Sequence, residues 1–214
     1  MSATHYLLDS DVAKALCQYC LVEDLAIALG VTVSDFAVLS QLRFQLHHGN
    51  RSRSLKKLGS ERAVQQLDVL ISQCSEVVAL VESANFLLLS GTPDIDGGEL
   101  ALFAALCEDP TAELVTGDKR ALIALCKVGE PVSSAFRWAQ IMCLEEAFAH
   151  LVKHFGCSYV SERVRARLDV NHAVSNIFGR SAPASEVSIL EGIDSYLGEL
   201  QQLTQGKYSP SLGA

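Results

Sequence analysis

Asp9, Glu99 and Asp118 lie far apart in the chain, yet each stands at the end of an apolar run or the start of a helix-like one. Asp9 closes the run HYLLD, and Asp118 follows AELVT in a Thr-Gly-Asp turn. Glu99 opens ELALFAALCE. An acid at such a place has a purely structural use, because its carboxylate accepts hydrogen bonds from the free N–H groups of a helix start and suits the helix dipole. If the three meet in space they also repel one another, unless a cation lies among them. Hard oxygen donors of this kind select Mg2+ or Mn2+.

The elements that must position these acids read as alternating strands and helices. HYLLD is a first strand, and VAKALCQYCLVEDLAIALG keeps apolar residues at helical spacing until Gly30 closes it. VTVSD reads as a second strand and FAVLSQLRFQL as a second helix, with Asp35 at its start. HHGNRSRS is a polar loop, followed by a helix from Glu61 to about Cys74. EVVAL is a third strand, ESANFLLLSG is helical, GTPDIDGG is a turn in which Asp94 and Asp96 bond locally, and AELVT is a fourth strand ahead of DKRALIALCKVG. This order predicts an α/β fold, a three-layer α/β/α sandwich on a central parallel sheet, with a C-terminal helical extension. Ligands of such sheets bind at the carboxyl ends of the strands, where both Asp9 and Asp118 fall.

At this point the chain resembles the PIN-domain nucleases, over roughly residues 5 to 128. The likeness rests on YLLDSDV at the first strand, IDGGELALFAAL at an acidic helix start, and LVTGDKRAL at a Thr-Gly-Asp strand end. It implies a divalent-metal-dependent endoribonuclease that hydrolyses phosphodiester bonds, with Asp9, Glu99 and Asp118 as the catalytic acids and the ligands of Mg2+ or Mn2+. Asp11 takes the place usually held by Asn, and Asp11 or Asp96 would position water while Thr116 orients Asp118. Gln41, in VLSQL, stands where the family carries a further Glu in its second helix. Asp35 is the nearest acid able to compensate. The resemblance extends to the toxin of a toxin–antitoxin pair, with an antitoxin-like protein partner. The alternative reading, favoured by Gln41, is a degenerate PIN-like domain that binds RNA or protein without catalysis.

Charge gives a second expectation. The chain carries a net charge of −8, which argues against a generally basic nucleic-acid coat. Yet RFQLHHGNRSRSLKKLGSER concentrates cations, and Arg51, Arg53, Lys56 and Lys57 form a candidate RNA-phosphate rim beside the acids. Arg163, Arg165 and Arg167 form a second group. Among rival sites, LLDSDV also suggests the Asp-x-Asp of haloacid-dehalogenase-type phosphatases, but GDKRALIAL lacks the second acid of their later motif. Glu146, His150 and His154 share a helical face where adjacent pairs could chelate zinc or nickel, although one face supplies only two ligands to one ion. Cys17 and Cys20 make a single Cys-x-x-Cys without a second pair.

Residues 1–130 are expected to form the PIN-like domain, 131–205 the helical extension and 206–214 a disordered tail. The extension is free to close the core, form a homodimer, bind a partner or cover substrate. The 7 cysteines, odd in number and set in apolar segments, suit reduced thiols. No window approaches the roughly 18 apolar residues of a membrane span, so the expected setting is cytoplasmic, with no membrane partner.

Overall fold

The computed structural model describes residues 5–77, 82–130 and 132–211. Its centre is a parallel sheet of five strands: β1 (His5–Leu8), β2 (Phe36–Val38), β3 (Ser75–Glu76), β4 (Ala112–Thr116) and β5 (Ile141–Cys143), in the order β3-β2-β1-β4-β5. Leu7 pairs with Ala37 on one side and Leu114 on the other. Strands covered on both faces read as unbroken apolar runs, which is why HYLL and LVT were legible as buried strands. The chain begins in the middle of the sheet, builds outward through β2 and β3, then returns to the far side of β1 as β4. That reversal is the topological switch point of the fold, and its crevice opens past the carboxyl ends of β1 and β4.

Helices cover both faces, as expected of an α/β sandwich. They are α1 (Ser10–Tyr19), α2 (Val22–Ala28), α3 (Leu42–Gln45), α4 (Arg51–Leu58), α5 (Glu61–Gln73), α6 (Ala84–Leu89), α7 (Gly97–Glu108), α8 (Lys119–Leu125), α9 (Val132–Ala135), α10 (Leu144–Phe155), α11 (Cys157–Arg165), α12 (His172–Ile177) and α13 (Glu186–Leu203). The buried apolar side chains form one cluster that runs from Tyr6 in β1 through Leu114 in β4 to Leu200 in α13, so the C-terminal helices share the core of the sheet. Among the described residues no helix is long and apolar enough to cross a membrane.

Several elements differ from the expectation. The first long helix is two, broken at Cys20, whose left-handed backbone (φ 57°) lets Leu21 N–H bond back to Leu16 C=O at 2.9 Å. VTVSD is not a strand. Thr32 and Asp35 close a tight 3-10 turn there, Thr32 N–H donating to Asp35 Oδ2 at 2.9 Å, and the strand starts only at Phe36. HHGNRSRS is not all loop, since Asn50 caps α4 by accepting from Arg53 N–H at 3.1 Å. Part of EVVAL, from Val78, lies outside the described residues. IMC, within the expected helical extension, is instead β5: Leu114 pairs with Ile141 and Thr116 with Cys143. The tail is not disordered as far as Ser211, because Tyr208 is fully buried and Glu146 accepts from Ser211 N–H at 2.6 Å.

Candidate functional site

The acids converge at the switch point. Asp9, Asp11, Asp96, Glu99 and Asp118 all line one cleft of about 990 Å3, together with Gln41 and Lys57. Each acid is set by the end of an element. Asp9 follows β1 and precedes α1. Asp118 lies just past β4 and caps α8, Oδ1 accepting from Arg120 N–H at 2.8 Å and Ala121 N–H at 3.1 Å. Asp96 and Glu99 form a reciprocal box at the start of α7. Asp96 Oδ1 accepts from Gly98 and Glu99 N–H at 2.7 and 2.9 Å, and Glu99 Oε2 accepts from Asp96 N–H at 2.7 Å.

Capping therefore occupies one oxygen of each of these carboxylates and not the other. Asp118 Oδ2 lies 3.4 Å from the exposed Arg120 guanidinium, and the Asp118 carboxylate also meets the Glu99 side chain. Thr116 does not reach the Asp118 carboxylate; its hydroxyl accepts from the Asp118 backbone N–H at 3.1 Å and so holds the turn. Gln41 sits at the start of α3, past the end of β2, and its amide nitrogen lies 3.2 Å from where a Cβ on Gly98 would stand. It thus faces the α7 box, and the glycine leaves room for it. Asp35 is at the opposite, amino end of β2 and is spent on its own turn, so it cannot substitute for an acid at Gln41.

The electrostatics reflect crowding. Burial pushes Asp9 up to about 6, helped by the charge of Asp11, while the amides of Gly117, Asp11 and Ser10 pull the other way. Glu99 rises to about 7, first through desolvation and then through a hydrogen bond with Asp118 and the charges of Asp118 and Asp96. Burial also acts to raise Asp118, but the Ala121 and Arg120 amides, Glu99 and the Arg120 charge outweigh it and bring it below the usual carboxylate range. Glu99 is the acid that keeps a proton, and Asp118 is the anion that receives its hydrogen bond. Among the described residues, no group of three or more His, Cys, Asp or Glu side chains is drawn together as a ready-made metal cage.

The basic residues divide. Arg51, Arg53, Lys56 and Lys57 are exposed on α4, where only Lys57 reaches the cleft and Arg51 pairs with Glu61 at 2.5 Å. Arg163, Arg165 and Arg167 are instead used internally, on Asp24, on Gly179 C=O, and on Asp169 and Leu58 C=O respectively. Cleft residues absent from the expectation include Lys14, Lys119, Glu145, Asn171, His172, Tyr196 and Glu199. Lys119 Nζ bonds the buried Glu145 at 3.1 Å. Glu145 was findable: had IMC been read as a strand, the acid just past it would have fallen at the same sheet edge as Asp9 and Asp118. The helical Glu146–His150–His154 face forms no such site, since Glu146 is engaged by Tyr208 and Ser211 and His150 Nε2 is buried without a partner among the described residues.

No family profile, curated protein or solved structure matches this chain.

Proposed function

We propose that the chain is a divalent-metal-dependent endoribonuclease of PIN-like type. The observation that carries this reading is that Asp9, Glu99 and Asp118 line one cleft at the β1/β4 switch point. The donor chemistry fits Mg2+ or Mn2+: the acids are all oxygen donors, Glu99 and Asp118 each keep an oxygen clear of the capping amides, and Asp9 and Glu99 are raised by burial first and by neighbouring carboxylates second. Asp9, Glu99 and Asp118 would hold the ion. Once bound, it would supply Lewis acidity and a water of lowered pKa for in-line attack on a phosphodiester.

The chain's own residues do the rest. Thr116 and the α8 cap fix the direction of Asp118, as the α7 box fixes Glu99. Gln41, Asp96 and Asp11 line the floor and can hold water by hydrogen bonds. Glu99, pushed up to about 7 in the metal-free chain, would give up its proton on binding the ion and act as a ligand. Lys57 and, farther out, Arg51, Arg53 and Lys56 offer cations to the phosphates of RNA.

Asp118→Asn tests the reading, because Asn caps a helix about as well as Asp. Cleavage of labelled RNA in Mn2+ should fall at least ~100-fold and calorimetric Mn2+ binding should weaken, while the apo melting temperature stays level or rises. Wild-type cleavage by Asp118→Asn would remove the nuclease site. A second reading, a binding module without catalysis, is favoured by the uncharged Gln41 and by the lack of a ready-made cage among the described residues. It predicts RNA binding by the wild type that chelator leaves unchanged, and no cleavage.

A further inference from the structure

The cleft is larger than an acid cluster needs. Its volume, about 990 Å3, reaches the top of the roughly 300–1,000 Å3 spanned by small-molecule pockets. Besides the acids at the strand ends, the C-terminal helices contribute to its lining, with Asn171 and His172 at the start of α12 and Tyr196 and Glu199 on α13. Tyr196 is half-buried against the core and lines the cleft. It is also held in place: Lys119 Nζ lies 4.4 Å from the ring centre, and the same ammonium is tied to Glu145 at 3.1 Å. The Lys119 charge is thus already used, and its service to the cleft is to fix the ring.

Two cations of the same cleft, Lys14 and Lys57, form no ion pair among the described residues. A pre-positioned aromatic ring beside phosphate-seeking cations is the combination that binds unpaired bases, since every base has a π face and stacking needs no particular sequence. Paired bases are excluded because their faces are already stacked within the helix. A protein segment has no comparable use for separate cations spaced around a single ring.

We propose that Tyr196 is a stacking subsite for one unpaired base of a single-stranded nucleic acid, whose neighbouring phosphate then lies over the acids. This rests on the nuclease reading for the identity of the ligand, but it is tested by binding and so can stand or fall separately. The probe is a short single-stranded oligoribonucleotide carrying 2-aminopurine at successive positions, mixed with the full chain in calcium in place of magnesium. Stacking should quench fluorescence at one position above all. Tyr196→Ala should abolish that quench and weaken binding about 10-fold, whereas Tyr196→Phe should keep both, with thermal melting to verify that each variant is folded. A duplex of the same sequence should compete poorly. An unchanged quench in Tyr196→Ala, equal competition by duplex, or no binding of the oligonucleotide would each overturn the subsite. A chain that quenches through Tyr196 yet cleaves nothing would keep the subsite and sink the nuclease reading, and cleavage with unaltered KM in Tyr196→Ala would do the reverse.

Discussion

Glu99 and Glu146 are both acids on helices packed against the sheet, and their surroundings differ in kind. Glu146, on α10, is buried among donors: it accepts from the Tyr208 hydroxyl, from Ser211 N–H at 2.6 Å and from the Ser211 hydroxyl at 2.7 Å. Glu99, on α7, accepts from Asp96 N–H but otherwise faces other acids, and is pushed up to about 7. One carboxylate is surrounded by partners that stabilise its charge. The other sits in a group of carboxylates in which Asp118 is paired with the exposed Arg120 and Asp9 and Glu99 form no ion pair among the described residues, in a cleft open to ligand. The contrast separates an acid used to build the fold from acids kept for something that binds, and a sequence shows both only as Glu at a helix start.

The comparison breaks most readily at Glu146. Glu146→Ala removes the acceptor for Tyr208, whose buried phenol is held far above its ordinary value and so remains a donor. Leaving these donors unpaired should cost about 3 kcal/mol of unfolding free energy, measured by urea denaturation, and should free the tail to proteolysis. Metal affinity and cleavage per folded molecule should stay at the wild-type level. Equal destabilisation by Asp118→Asn and Glu146→Ala would erase the distinction between the two groups.

A smaller effect should appear with pH. Asp9 at about 6 and Glu99 at about 7 lie above their ordinary values near 4, so the folded state binds more protons than the unfolded one between about pH 4 and 7. Their contribution to stability is full below that window and is lost as pH rises through it, with Asp9, the more buried of the two, accounting for about 3 kcal/mol. Mn2+ competes with those protons, so it should raise the melting temperature more at pH 7.5 than at pH 5, and chelator should reverse the gain. A Mn2+ effect of equal size at both pH values would count against the crowded acids as its binding site.

How much of this was readable in advance follows from the range of the interactions. β1, β4, α5 and α7 were legible because their apolar runs and caps are local, and the positions of Asp9, Glu99 and Asp118 came with them. The displaced β2 was not, since the Thr32–Asp35 turn uses residues that also suit a strand, and FAV gains its strand character by pairing with β1 and β3. β5 is a three-residue edge strand whose pairing with β4 leaves no periodic trace. Cys20 breaks the first helix in a left-handed conformation that favours glycine, so no residue type announced it. Arg163 and Arg167 looked like a binding surface because their partners, Asp24 and Leu58, are distant in sequence.

Gln41 is where the smallest change should sharpen the comparison. Its amide lies against Gly98, beside the box formed by Asp96 and Glu99, so a carboxylate at that position would join the crowded acids without moving the backbone. In the apo protein, Gln41→Glu adds a like charge to a group already short of positive charge, and should lower stability by about 1 kcal/mol at pH 7.5 with less effect at pH 5. In Mn2+ the sign should invert: the added charged oxygen should tighten metal binding by roughly fivefold, and the stability lost in the apo form should be recovered. Calorimetric Mn2+ affinity and melting temperature at the two pH values measure both effects. A variant destabilised alike with and without Mn2+ would mean that residue 41 meets the acids but not the ion they hold.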